Sequence, residues 1–273
     1  MIYRIFHPVP ILADVVEHYW YSKIDLSESV VQHYATPLLQ GLAFNFNLKT
    51  EEHEFANHKY TLDKSAYIFG QPTCPRVITT NEKGVDILGV KFKPLGIAKI
   101  TGINMENMAD KIIAVDAIWG NELELLSDEM QSAPNLESTI SVLESFLINK
   151  YLHTKLHYRV DSVQNALALI AYAQGNIDVK TLQEKTNITR KTLERAFRNY
   201  LGIHPKLYSR IIRFNAIKNV LDRTSMDCNL TALAMDFGFY DCSHFISEFK
   251  NFSGLTPHTY LKNSSTEFTR EFV

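Results

Sequence analysis

The apolar positions of this chain change period about a third of the way along it. Over residues 41–50, GLAFNFNLKT, the residues Leu42, Phe44, Phe46 and Leu48 alternate with Ala43, Asn45 and Asn47, the period of two that marks a half-buried strand. SAYIFG (65–70) and VDILGVKFKP (85–94) continue the theme, with Pro, Gly and Asn as punctuation. Short strands at this spacing predict a small antiparallel β-barrel or sandwich. The segment 11–22 fits either an amphipathic helix or an edge strand, and TEEHEFANHKY (50–60) reads as a solvated loop. From about residue 104 the period becomes helical. NLESTISVLESFLINKYL places Leu136, Ile140, Leu143, Leu147 and Tyr151 on one face, and RVDSVQNALALIAYAQG places Val163, Leu167, Ile170 and Ala171 likewise before stopping at Gly175. The expected fold class is therefore α+β in two domains. A strand-rich half with helices spans 1–130, a helical connector or dimer surface spans 131–174, an all-α module spans 175–262, and a tail spans 263–273.

The all-α module contains a repeat. TRKTLERAFRNYLGIHPKLY (189–208) set above DCSHFISEFKNFSGLTPHTY (241–260) matches at a single offset of 52: Leu193 with Phe245, Phe197 with Phe249, Arg198 with Lys250, Tyr200 with Phe252, Gly202 with Gly254, Pro205 with Pro257 and Tyr208 with Tyr260. Each match has a physical job. Thr189 and Asp241 are N-cap types, the apolar residues form a buried stripe, the glycines end the helix, and the prolines start the next segment. Ahead of each unit lies a short helix and a turn, VKTLQEKTNI (179–188) and LTALAMDFGFY (230–240). Short helix, turn and capped second helix make a helix-turn-helix, whose second helix enters the major groove. The exposed side of the first such helix carries Arg190, Lys191, Glu194, Arg195 and Arg198, and that of the second Cys242, Ser243, Ile246, Ser247 and Lys250, with His244 at its border.

Charge supports this assignment. Although the 273-residue chain has a net charge of −2, residues 175–262 hold 13 Lys and Arg against 8 Asp and Glu, which leaves 15 against 22 elsewhere. A basic module beneath an acidic one suits a nucleic-acid binder with a separate second function. Three scattered cysteines and no long apolar run imply a soluble, cytoplasmic protein with no membrane contact. The Cys242–Ser243–His244 grouping invites a metal or nucleophile reading. Residues one or two apart on a helix do not face one another, and no further ligands stand at metal spacing. These side chains are instead suited to bases and phosphates. No enzyme activity, cofactor or metal is expected.

The residues of 175–262 closely resemble the DNA-binding domain of AraC-type bacterial transcription regulators, in which a long helix, here KLYSRIIRFNAIKNVL (206–221), joins two helix-turn-helix units. The resemblance rests on L-x-R-x-F (Leu193, Arg195, Phe197) in the first unit, and on GF-x-D-x-S-H-F and F-K-x-F-x-G-x-T-P in the second. It implies that Lys191, Glu194 and Arg195 face bases in one major-groove segment of double-stranded DNA, and Cys242, Ser243, His244 and Ser247 in the next. Ser247 stands where relatives place a longer side chain, which shifts weight to phosphate contacts from Lys250 and to DNA shape. Such regulators usually carry a cupin-like barrel that binds a small-molecule effector, forms a homodimer, or both, and activators among them contact RNA polymerase. Tyr19–Trp20 and GVKFKPLG (89–96) are similar to one branch of these domains. Tyr19, Trp20, Tyr34, Phe44, Phe46 and Tyr67 are either effector-pocket residues or plain core. Two alternatives stand for this half. A cupin metalloenzyme would want an H-x-H pair, which is lacking, and a thiol redox sensor would act through Cys74, with Arg76 lowering its pKa, or through Cys242.

Overall fold

The computed structural model describes residues 2–47, 51–155, 160–224 and 228–264. Leu48 and the expected tail from residue 265 onward lie outside them. The N-terminal half is two antiparallel sheets facing each other, with no closed barrel. The first has six strands in the order β1 (Ile2–Phe6), β2 (Val16–Ile24), β9 (Val85–Phe92), β4 (Gln40–Asn45), β7 (Ala66–Phe69) and β10 (Ile112–Ala114). The second orders β3 (Val30–Tyr34), β8 (Arg76–Thr80), β5 (Glu51–Phe55) and β6 (His58–Thr61). The undecided segment 11–22 is a 3-10 turn at Pro10–Leu12 followed by β2, and β2 is an inner strand, because β1 covers its outer side. The expected loop around His53 and His58 is a hairpin instead. Ala56 and Asn57 both adopt positive φ, 49° and 62°, the two-residue geometry that lets β5 return directly as β6.

Strand β4 also differs from its half-buried pattern, since every residue in it is buried. Period two sorts its side chains between two cores rather than between core and water. Leu42 and Phe44 join a cluster that runs outward into the helices, while Ala43 joins a smaller cluster between the sheets with Phe55, Tyr67, Phe69 and Ile87. Helix α1 (Gly96–Thr101) packs against β4 and α4, the short α2 (Asp116–Trp119) leads into α3 (Asn121–Ser132), and α4 (Leu136–His153) packs on α3. Helix α5 (Val160–Tyr172) packs on the C-terminal half. There Ala166, not Ala171, joins Val163, Leu167 and Ile170 in the buried stripe, and Ala171 is exposed.

The C-terminal half follows as α6 (Val179–Thr186), α7 (Arg190–Leu201), α8 (Pro205–Leu221), α9 (Leu230–Asp236), α10 (Cys242–Ser253) and α11 (Pro257–Ser264). The offset of 52 maps the bounds of α7 onto those of α10. Thr189 Oγ1 accepts from the Thr192 N–H and Asp241 Oδ1 from the His244 N–H at the two starts. Gly202 (φ 76°) and Gly254 (φ 79°) close the two ends in the left-handed region.

The halves share one continuous apolar cluster and are pinned by polar contacts to the last turn of each repeated helix. Near the C-terminus of α7 the Gln40 Nε2 donates to the Leu201 carbonyl at 3.5 Å, and near that of α10 the Thr36 N–H and hydroxyl donate to the Phe252 carbonyl at 2.7 and 2.8 Å. These are last-turn carbonyls that a helix cannot satisfy itself. Gly202 lies so close to the N-terminal half that an added Cβ would fall 2.6 Å from the Met105 carbonyl oxygen, whereas at Gly254 the nearest atom is Pro75 Cγ at 3.7 Å. Both substitutions to Ala incur the left-handed penalty of about 1–2 kcal/mol. The clash should make Gly202→Ala the less stable variant by at least about 1 kcal/mol, measured by urea unfolding of the two side by side.

Candidate nucleic-acid interface and ligand cavity

Helix α7 buries Leu193, Ala196, Phe197, Tyr200 and Leu201, and this fixes which residues face outward. Arg190, Lys191 and Arg195 are exposed, and Glu194 and Arg198 are half-buried. Arg190 Nε donates to Glu194 Oε1 at 2.8 Å, and that hydrogen bond holds the Glu194 carboxyl below its ordinary pKa. Arg198 turns toward the N-terminal half, 3.6 Å from Glu106 Oε1. On α10 the buried residues are Phe245, Glu248, Phe249 and Phe252, which leaves Ser243, His244, Ser247 and Lys250 exposed. Cys242 is half-buried, and Ile246, expected on the outer side, packs against the core. The His244 ring meets Phe239 edge-on at 5.3 Å. The Asp241 cap and the ring contact with Phe239 organise the first turn of α10, and His244 Nε2 lies 3.8 Å from Glu248 Oε2 one turn on.

Glu248 is the residue that sequence reasoning missed. It occupies the buried position that Ala196 holds in the first unit, and its carboxylate accepts from Arg210 Nε at 2.9 Å and Arg213 Nη2 at 2.7 Å, both on α8. The offset carried the signal, a charged residue standing on an otherwise apolar stripe.

A second feature lies between the two sheets: a cavity of about 390 Å³, within the range of small-molecule sites. Its wall includes Trp20, Tyr34 and Tyr67, together with Asn215, Lys218 and Asn219 from α8 and its C-cap Asp222. Phe44 lies on the opposite face of β4 with the helix-side core, as does Tyr19 on β2, and Phe46, just past the end of β4, packs against the same core. Small residues, Gly41, Ala43 and Asn45, take the cavity side of β4. His53 is buried on the cavity wall with Nε2 3.4 Å from Glu51 Oε2, and burial, reinforced by nearby Arg76, holds its pKa below the ordinary value despite Glu51. Burial and then Asp110 push the Cys74 thiol up, the reverse of the lowering expected from Arg76. Among the described residues no group of three or more His, Cys, Asp and Glu could hold a metal ion, and no helix is long and apolar enough to cross a membrane.

Comparison with known proteins adds two domain matches. Residues 182–263 match the family model described as "Helix-turn-helix domain", and residues 4–114 match a domain of unknown function, DUF6597. The chain is 29% identical over 94 residues to the HTH-type transcriptional regulator ArgR of Pseudomonas aeruginosa, a stretch covering 34% of this chain and 28% of that protein. It is 26% identical over 132 residues to the HTH-type transcriptional regulator GbdR of the same organism, covering 44% and 35%. The chain thus spans about a third of the length of the curated relatives it matches. Among solved structures, ToxT from Vibrio cholerae O395 superposes with a TM-score of 0.49 at 11% identity, covering 97% of this chain and 98% of that one.

Two measurements probe the geometry. Glu248→Ala leaves Arg213 buried without its carboxylate and should lower stability by about 3 kcal/mol in urea, although alanine is native at the matching position in the first unit. His53 contributes stability that is complete above about pH 6.5, the ordinary histidine pKa, and is lost below it as the unfolded chain takes up a proton that the folded chain resists. Between pH 7.5 and 5.5 the wild type should therefore lose more stability than His53→Gln, by up to roughly 1.4 kcal/mol per pH unit.

Proposed function

We propose that this chain, whose C-terminal segment is an AraC-type helix-turn-helix domain, is a sequence-specific DNA-binding transcription regulator whose N-terminal sandwich takes a small-molecule effector. The observation that carries this reading is the duplicated, capped helix, each copy packed on the same connecting helix. Fixed to one rod, α7 and α10 would be presented together to successive major-groove segments of double-stranded DNA. Lys191, Glu194 and Arg195 would read base edges from α7, with Arg190 oriented by Glu194. Cys242, Ser243, His244 and Ser247 would do so from α10, and Lys250 would neutralise phosphates, joined by Arg198 on exchanging Glu106 for DNA. The effector's route to DNA is α8 itself, which with its C-cap Asp222 supplies four residues of the cavity wall and also anchors α10 through Arg210 and Arg213. A homodimer through the helical pair, and contact with RNA polymerase if transcription is raised, belong to the same reading.

The test is DNA binding by fluorescence anisotropy against a selected site and scrambled sequences. Arg195→Ala should weaken the selected site by about 1–3 kcal/mol and relax its preference at one or two bases. Lys250→Ala should weaken all sequences alike and reduce the slope of log K against log salt by about 0.9. Unchanged sequence preference in Arg195→Ala would remove α7 from the groove.

A further inference from the structure

The register of the six-stranded sheet lays the cavity floor out in rows. One row runs Trp20, Gly89, Ala43 and Tyr67 across β2, β9, β4 and β7, and the row beside it runs Ser22, Ile87 and Asn45. A Cβ on Gly89 would lie 2.0 Å from the Trp20 ring, so the indole lies down over the β9 backbone instead of standing upright. Strands sit about 4.8 Å apart, so Ala43 is the floor of a slot walled by Trp20 on one side and Tyr67 on the other. On the far side of this slot, His53 of the facing sheet approaches Phe69 at 5.7 Å, one row beyond Tyr67.

The polar atoms facing this space are specific in kind. Ser22, Asn45 and His53 are each less than 5% exposed, and among the described residues Ser22 Oγ, Asn45 Nδ2 and His53 Nδ1 have no hydrogen-bond partner. Asn45 Oδ1 accepts from the Asn47 N–H at 3.0 Å, which leaves its Nδ2 as a donor toward the cavity. The Glu51 carboxylate beside His53 Nε2 favours the proton there, which leaves Nδ1 as an acceptor. Charge on the wall is balanced. Arg76, Lys91 and Lys218 stand against Glu17, Glu51 and Asp222, with Lys91 3.2 Å from Glu17 and Lys218 3.0 Å from Asp222. A wall without excess charge offers no reward for burying an ionic ligand.

We propose that the cavity takes an uncharged aromatic molecule, its ring in the slot over Ala43, with a carbonyl-type acceptor at the Asn45 end and an O–H or N–H donor at the His53 end. This proposal rests on the reading of the cavity as the effector site and adds the chemical class. An anion would leave its charge unmatched, and a purely apolar molecule would leave Asn45 and His53 buried without partners.

The experiment is direct binding to the full chain by calorimetry, using 4-hydroxybenzamide, 4-hydroxybenzoate and 4-methylbenzamide. The first should bind, and each of the others should bind at least about tenfold more weakly. Ala43→Leu, which fills the slot, should abolish binding. His53→Phe should erase the preference for the hydroxyl over the methyl group, and Asn45→Leu should weaken both amides, which keeps a readout if one variant does not fold by thermal melt. Tighter binding of the benzoate overturns the proposed class but leaves the cavity reading standing. Binding that survives Ala43→Leu overturns the location. Binding of none of the three probes overturns the proposed class and leaves the cavity reading to the anisotropy test.

Discussion

The apolar stripe of α8, Tyr208, Ile211, Phe214, Ile217 and Leu221, is kept from water on several sides at once, and the arrangement of the molecule follows from how that is done. Phe197 of α7 meets Tyr208 edge-on at 5.9 Å, while Phe249 and Phe252 of α10 meet Phe214 at 5.2 and 5.4 Å. Each of α7 and α10 is thus fastened by its own aromatic residues to a different stretch of one rod. The polar side of the rod faces the sandwich, where Asn215 donates to the Thr36 carbonyl and Lys218 pairs with Asp222 at the cavity wall. A helix packed this way has little freedom to rotate, because turning it would expose apolar surface worth roughly 25 cal/mol for every Å².

The repeat was the most legible part of the sequence, because caps, left-handed glycines and N-terminal prolines act locally. Thr189, Asp241, Gly202, Gly254, Pro205 and Pro257 each do the job their residue type suggests. The strand-rich half was legible only in outline. Alternation in β4 identified a strand but not which face looked into a cavity, since both faces are buried and the larger side chains went to the helix side. His53 was hidden for the opposite reason: EEHEFANHKY is polar enough to read as surface, yet the two-residue turn at Ala56 and Asn57 carries one of its histidines inside. The cavity itself depends on two sheets and a distant helix, and no local pattern encodes that.

The burial of Glu248 where the first unit has Ala196 also bears on how a duplicated structure keeps its parts in order. Two helices of equal length, each capped by a side-chain oxygen at its start and a glycine at its end, with similar buried stripes, invite exchange of one for the other during folding. Were α7 to settle in the place of α10, Arg210 and Arg213 would face alanine, and two guanidinium groups would be left against protein with no counter-charge. Were α10 to settle in the place of α7, a carboxylate would enter a pocket shaped for a methyl group. One residue in the stripe therefore gives each copy its own address, and the order of the two units in space is written into the chain as firmly as their order in sequence.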